Sequence, residues 1–321
     1  MKLVGNTPNV TLNIPELNDI QIRAKLELYN PTGSVKDRAA CYVINKLLDQ
    51  RIINEETAIV ESSSGNYGIA LAALCKMKGL TFHCVIDPLI SPVNEMLIRS
   101  YGANIHMVTD RDENGGYLLN RIKKVHNILE SMPNSYWVNQ YKNPLNADAY
   151  YYSLGSEVCK ENEQLDYLFI GVSSGGTITG LSRRAKEKFP NCKIIAVDVE
   201  GSVIFGGLPK KRHIPGIGSS LVPPILQDAI IDEVITVDEY STVVGCRYLL
   251  KNHALFLGGS SGSILAAMRQ YFYQKTFSNN PVALGIFCDR GERYVSSIYN
   301  DEWVSMNFTE FNTGERLYAL S

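Results

Sequence analysis

Tryptophan (2), histidine (5) and cysteine (7) are scarce in this 321-residue chain, and none is spaced for metal or disulfide chemistry. No CxxC pair occurs. The cysteines, at 41, 75, 84, 159, 192, 246 and 288, are odd in number and lie mostly in apolar runs such as Ala73-Leu74-Cys75 and Phe287-Cys288, the setting of buried thiols. The histidines are scattered without ligand spacing, so no metal is expected. No run approaches the ~20 apolar residues of a membrane span. The opening Met1-Lys2-Leu3-Val4-Gly5-Asn6 has no apolar signal core. Charge of one sign is also lacking: 31 Lys+Arg against 33 Asp+Glu leave a net −2, which excludes the basic footprint of a nucleic-acid binder. Length and balance leave a cytoplasmic, metal-free enzyme or binding protein of two domains or one large one.

What the chain has is alternation. Residues 20–28 alternate apolar and polar, a half-buried strand. Further strands are expected at 57–61, 81–86, 103–108, 167–172, 193–199, 234–237 and 282–287. Helices are expected at 69–77, at 92–101 with Ser91 as cap, and at 117–129, 178–189, 241–251 and 263–274. This pattern predicts an α/β fold with mainly parallel sheets. The polar, turn-rich stretch 139–148 reads as a domain boundary. Residues 301–321 carry aromatics without a clear period.

In such folds ligands bind beyond the carboxyl ends of strands, where loops enter helix N-termini. Four stretches of this kind stand out. In Asn30-Pro31-Thr32-Gly33-Ser34-Val35-Lys36-Asp37-Arg38, Ser34 and Asp37 have the spacing of a capping box, so a helix should begin there. Lys36 then lies in its first turn, where the positive dipole end disfavours an ammonium and leaves free amine as nucleophile or base. A solvated surface lysine is the plain alternative. Ser62-Ser63-Ser64-Gly65-Asn66-Tyr67-Gly68 offers backbone N–H groups to a carboxylate or phosphate, and Asn66 adds an amide. Ser173-Ser174-Gly175-Gly176-Thr177 lacks both the Gly-Lys-Ser/Thr ending of a nucleotide loop and the G-x-G-x-x-G spacing, so a small monophosphate fits it best. Gly258-Gly259-Ser260-Ser261-Gly262-Ser263, alone, is turn chemistry. Together, an amine, a phosphate cup and a carboxylate cradle are the parts needed to hold pyridoxal phosphate and an amino-acid substrate.

In order and spacing, residues 30–38, 63–68, 173–177, Gly216-Ile217-Gly218, 259–262 and 289–294 resemble the cysteine synthase family of fold-type II pyridoxal-phosphate enzymes, over nearly the whole chain. The resemblance implies a tryptophan synthase β-like fold. It also implies a smaller α/β domain from residues 30–144, a larger one from 1–29 and 145–321, an active site in the cleft between them, and a homodimer. It makes Lys36 the Schiff-base lysine, which also removes the substrate's Cα proton. Asn66 becomes the partner of the cofactor's ring hydroxyl, Ser173, Ser174, Gly175, Gly176 and Thr177 the phosphate cup, and Ser260 the serine facing the pyridine nitrogen. Ser63, Ser64, Gly65 and Gln140 match the substrate-carboxylate cradle.

Within that family, Ile90-Ser91-Pro92, 100–104, Gly115-Gly116-Tyr117-Leu118, 201–206 and 289–294 resemble the siderophore-pathway branch. That branch joins O-phospho-L-serine to L-glutamate, giving N-(2-amino-2-carboxyethyl)-L-glutamate, a 2,3-diaminopropionate precursor. Two departures from the cysteine synthase pattern are Tyr67, where Thr is usual, and Ser173-Ser174, where Gly-Thr is usual. Arg290 replaces a small residue common in sulfhydrylases. Arg290 and Arg121 are candidate anion clamps, with Tyr141 lining the same pocket; a surface salt bridge is the alternative for either arginine. The rival readings are a cysteine synthase using O-acetylserine or O-phosphoserine with sulfide, a serine or threonine dehydratase, and a pyridoxal-phosphate- or nucleotide-sensing regulatory subunit. Retention of Lys36 with the cup and cradle argues against the last, since a sensor needs no Schiff-base amine.

Overall fold

The computed structural model describes residues 3–112 and 116–309. Gly115 and the stretch 310–321, both named above, lie outside them. In chain order the elements are β1 (Asn9–Leu12), β2 (Gln21–Leu26), α1 (Lys36–Asp49), β3 (Ala58–Ser62), α2 (Asn66–Lys78), β4 (Phe82–Ile86), α3 (Pro92–Ser100), β5 (Asn104–Met107), α4 (Leu118–Ser131) and β6 (Ser135–Trp137). There follow α5 (Pro144–Tyr150), α6 (Ser156–Glu161), β7 (Tyr167–Gly171), α7 (Gly176–Lys188), β8 (Lys193–Val199), β9 (Glu233–Val237), α8 (Glu239–His253), α9 (Gly259–Phe272), β10 (Val282–Phe287) and α10 (Asp301–Asn307).

Six strands pair in the order β1-β2-β10-β7-β8-β9 and four in the order β5-β4-β3-β6. Every pairing is parallel except β1 with β2. The fold is therefore the α/β class the alternation predicts. β3 and β10 are buried along their whole length, which is why β10 reads as a continuous apolar run rather than an alternating one; β3 buries Glu61 and Ser62 as well as its apolar residues. One apolar cluster joins α1 and α2 to β3, β4, β7, β8 and β10, so the two sheets share a core.

Four helices begin before the points expected from periodicity, α8 at Glu239 and, around one end of the sheets, α2 at Asn66, α7 at Gly176 and α9 at Gly259. Apolar period marks where a helix starts to pack, whereas here small polar residues wind the first turn. The Gly259–Ser263 portion is thus helix, not turn. The 139–148 stretch differs too: α5 begins at Pro144, with the Asn143 side chain accepting from Leu145 N (3.0 Å), and runs through a π-helical turn (Tyr151–Gly155) into α6. The strands β1 and β6, four and three residues long, were not expected from the sequence pattern.

The capping box does not form. The residue before α1 is Val35, without a side-chain cap. Ser34 is occupied by an antiparallel bridge to Asp289, and Val35 N donates to Cys288 O (2.8 Å). Ser34 Oγ accepts from Lys36 N (3.3 Å) rather than from Asp37 N, and the Asp37 carboxylate, although within reach of the Ser34 backbone N–H, is held chiefly by Thr32 N (2.8 Å) and Thr32 Oγ1 (2.7 Å).

Candidate active site

The carboxyl ends of β7 and β10 meet the starts of α1, α2, α7 and α9 around one cavity. Its wall holds Lys36, Asn66, Ser173, Ser174, Gly175, Thr177 and Ser260, together with Val35, Gly171, Ile178, Gly216, Cys288 and Asp289. Lys36 Nζ donates to Ser174 Oγ (3.1 Å), so the amine and the small-residue loop face each other. The amine's pKa is lowered chiefly by burial, against the pull of Cys288 and Asp289. Loss of hydration disfavours the ammonium form.

Across the cavity, Gly175 caps α7 with φ +84°, a conformation that favours glycine, and no side chain caps the helix start. A helix N-terminus left open in this way is a ready anion site. Ser173 Oγ donates to Gly218 O (3.1 Å), which ties this loop to the 216–218 turn. Gly176 lies just behind the wall, where a Cβ would come within 2.7 Å of the Asn146 amide. Ser260 is buried in the first turn of α9, and its hydroxyl is within hydrogen-bonding reach of the Cys288 thiol. An open helix start for a phosphate, an amine for an aldehyde, and polar groups for a ring between them fit pyridoxal phosphate.

The residues expected to cradle a substrate carboxylate are not on the cavity wall but lie behind it. Ser63 Oγ accepts from Gly68 N (3.1 Å) in the first turn of α2, and the three-residue run Ser63, Ser64, Gly65 leads into that helix. Ser64 Oγ accepts from Arg121 Nη1 (2.9 Å), and Arg121 also pairs with Asp87 (2.9 Å). Gln140 N donates to Glu61 Oε2 (3.3 Å), while Glu61 Oε1 accepts from Ser62 N (2.8 Å) and Trp137 Nε1 (3.3 Å). Burial pushes the Glu61 carboxyl up to about 7 despite those donors. Tyr141 follows Gln140; burial raises its phenol, opposed by the charges of Arg121 and Arg212.

Two residues singled out from sequence lie elsewhere. Arg290 Nε donates to Leu28 O (2.9 Å), and its side chain covers Gly33, so its guanidinium is not on the cavity wall. Tyr67 is buried in the shared core, a packing residue. Conversely, Asp289, Cys288, Arg212, Arg293 and Glu61 carried no assignment. Asp289 had a usable signal: it lies two residues beyond the apolar run of β10, and strand ends are where such folds place ligands.

Among the described residues no cluster of three or more His, Cys, Asp or Glu could hold a metal, no disulfide joins the seven cysteines, and no helix is long and apolar enough to cross a membrane.

An amine facing an open helix start, at the carboxyl ends of parallel strands, defines an enzyme that holds a phosphorylated aldehyde cofactor. The chain belongs to the pyridoxal-phosphate dependent enzyme family, whose model it matches over residues 1–289. Among solved structures it is similar to the O-acetylserine dependent cystathionine beta-synthase of Helicobacter pylori (33% identity, TM-score 0.87, covering 93% of this chain and 97% of that one). It is also similar to a hydrogen sulfide-producing enzyme of Fusobacterium nucleatum (27%, 0.85, 91% and 98%) and to O-ureido-L-serine synthase (26%, 0.84, 95% and 98%). It is thus a pyridoxal-phosphate-dependent enzyme of the cysteine synthase type, catalysing β-replacement or elimination.

Proposed function

We propose that this enzyme joins O-phospho-L-serine to L-glutamate, releasing phosphate and forming N-(2-amino-2-carboxyethyl)-L-glutamate. The observation that carries the reading is Arg121, whose Nη1 donates to the Ser64 hydroxyl (2.9 Å) while it pairs with Asp87 (2.9 Å), with the charge of Arg212 also bearing on the neighbouring Tyr141 phenol. Two cations there suit a phosphate leaving group and a dicarboxylate nucleophile through bidentate hydrogen bonds, which sulfide would not need. Arg290 has no part in this proposal, because its side chain lies over Gly33 and reaches the Leu28 carbonyl, with no hydrogen bond to residues 63–65 or 140–141.

Bound pyridoxal phosphate supplies the electron sink that makes a substrate Cα–H acidic. In our reading Ser173, Ser174, Gly175, Gly176 and Thr177 hold its phosphate, Asn66 its ring hydroxyl and Ser260 its ring nitrogen. Ser63, Ser64, Gly65 and Gln140 hold the substrate α-carboxylate at the start of α2. Lys36, with its lowered pKa, takes the Cα proton, and the Ser174 hydroxyl accepts an N–H to aim the amine. Ser260 is neutral and does not keep the ring nitrogen charged, which favours prompt loss of the β-substituent over transamination. Arg121 and Arg212 then hold the incoming acid near Cβ. Residues 30–144 act as the smaller domain against 1–29 and 145–321, in a homodimer.

A second reading is favoured by the 33% identity to an enzyme named for O-acetylserine. In that reading the donor is O-acetylserine and the nucleophile sulfide or a thiol, with Arg121 engaged by Asp87. Mass analysis of products from each donor paired with glutamate, sulfide or homocysteine separates the two. The glutamate adduct from O-phosphoserine is expected, and sulfur products alone would overturn the proposal. Arg121→Ala and Arg212→Ala should each raise the KM for glutamate roughly tenfold or more, the size of a lost charged hydrogen bond.

A further inference from the structure

Asn66 opens α2 on the cavity wall, and both ends of its carboxamide are engaged by charged groups. Nδ2 donates to Asp289 Oδ2 (2.7 Å), and Oδ1 accepts from Arg293 Nη1. The two ends of an amide are nearly alike in shape. Here a flip would press an oxygen on a carboxylate and an NH2 group on a guanidinium, so the charges fix the orientation. Asp289 lines the cavity and Arg293 does not, so the donor end is the one on the cavity side.

Both clamping residues are themselves held. Asp289 is 1% exposed; its Oδ2 also accepts from Tyr294 Oη (2.8 Å), and its carbonyl accepts from Gly258 N (3.0 Å). A Cβ on Gly258 would come within 2.1 Å of Asp289 Oδ1, so only glycine lets the carboxylate sit there. Arg293 Nη2 donates to Thr32 O, and Thr32 is fixed by Asp37, the neighbour of Lys36. One hydrogen-bonded chain thus runs from the start of the lysine helix to Asn66.

We infer that Asp289 and Arg293 are positioning residues that lock the Asn66 carboxamide with an N–H aimed at the cofactor's ring oxygen, holding that oxygen as an anion. The inference rests on the reading of Asn66 as that oxygen's partner. When the cofactor is joined to Lys36, the ring oxygen and the lysine nitrogen share one proton, and the two placements absorb at different wavelengths. A fixed donor at the oxygen keeps the proton on nitrogen, the long-wavelength form.

The test is the absorption spectrum of the cofactor-loaded protein for the wild type, Asn66→Ala, Asp289→Asn, Arg293→Lys and the Asn66→Ala/Asp289→Asn double variant. Asn66→Ala and Asp289→Asn should each raise the ratio of short- to long-wavelength bands about tenfold. Arg293→Lys, which keeps the charge and loses the fork, should shift it less, in the same direction. The double variant should match Asn66→Ala alone, because the two act as one unit. Removing a carboxylate near an anion would by charge alone lower that ratio, so a rise identifies the lost lock. An unchanged or lowered ratio in Asp289→Asn, with Asn66→Ala shifted, overturns the inference, as do additive shifts in the double variant. An unshifted Asn66→Ala spectrum overturns instead the reading of Asn66 beneath it. Should Asp289→Asn fail to fold, the same comparison on Arg293→Lys decides.

Discussion

Lys36 is held with a lowered proton affinity by a wall that denies it water, and that has a cost the apoprotein must carry. Burial lowers its pKa from 10.5, so the folded state binds this proton less tightly than the unfolded chain does. The penalty is full below the lowered pKa and vanishes above about 10.5, where both states are neutral. Lys36→Met apoprotein should therefore unfold at higher urea than the wild type at pH 7, with the gap closing as pH rises toward 10.5; a wild type that is the more stable at pH 7 would refute this. Loaded with pyridoxal phosphate, the same variant should lack the lysine-linked visible band. Residues such as Lys36, Asn66, Ser174 and Ser260 were legible because each sits in a local motif of small polar residues at a strand-to-helix turn. Asp289 and Arg293 were not, because their partners are distant: 223 residues separate Asn66 from Asp289. Arg290 misled for the same reason. Its neighbours, Leu28 and Gly33, leave no trace in the run around it.

Among the elements, the end of β3 and the loop before α5 are tied by one buried carboxylate. Glu61 collects N–H groups from Ser62, Trp137 and Gln140, so the two flanks of the cradle share an anchor. Its carboxyl rises from 4.5 to about 7 by burial. Between those values the folded state holds a proton that the unfolded chain has released, so stability falls as pH rises through that window. Glu61→Gln should remove this fall. Urea midpoints measured from pH 4.5 to 8 check it, and an unchanged slope would show that Glu61 is not the group responsible. The alternation that predicted the parallel sheets is a property of elements long enough to show a period. Helix starts wound from small polar residues carry no apolar period, which is why α2, α7 and α9 begin two to four residues before the points that period marks.

At the scale of the molecule, the chain's start is joined to the lysine helix and to α6 by a buried charge network that no local pattern announced. Arg38, 2% exposed, donates to Glu27 Oε2 (2.6 Å) and Glu157 Oε1 (2.7 Å). Lys25, fully buried, pairs with Glu157 (3.0 Å) and Glu161 (2.7 Å). Thr7 and Gly5 attach the N-terminal segment to it through Glu27 and Asn30. Burial raises the Glu157 carboxyl, but the hydrogen bond and charge of Arg38 outweigh that and bring it down to about 2. Such a network need not add stability over an apolar substitute, because desolvating the ions offsets their attraction. Removing one member is different, since it leaves Glu27 charged and fully buried with Thr7 and Asn30 as neutral donors. Arg38→Met should cost about 3–5 kcal/mol of stability, and Arg38→Met with Glu27→Leu should recover most of that loss. Urea unfolding of the two variants distinguishes a buried unpaired charge from lost packing: packing loss would make the double variant worse than the single one.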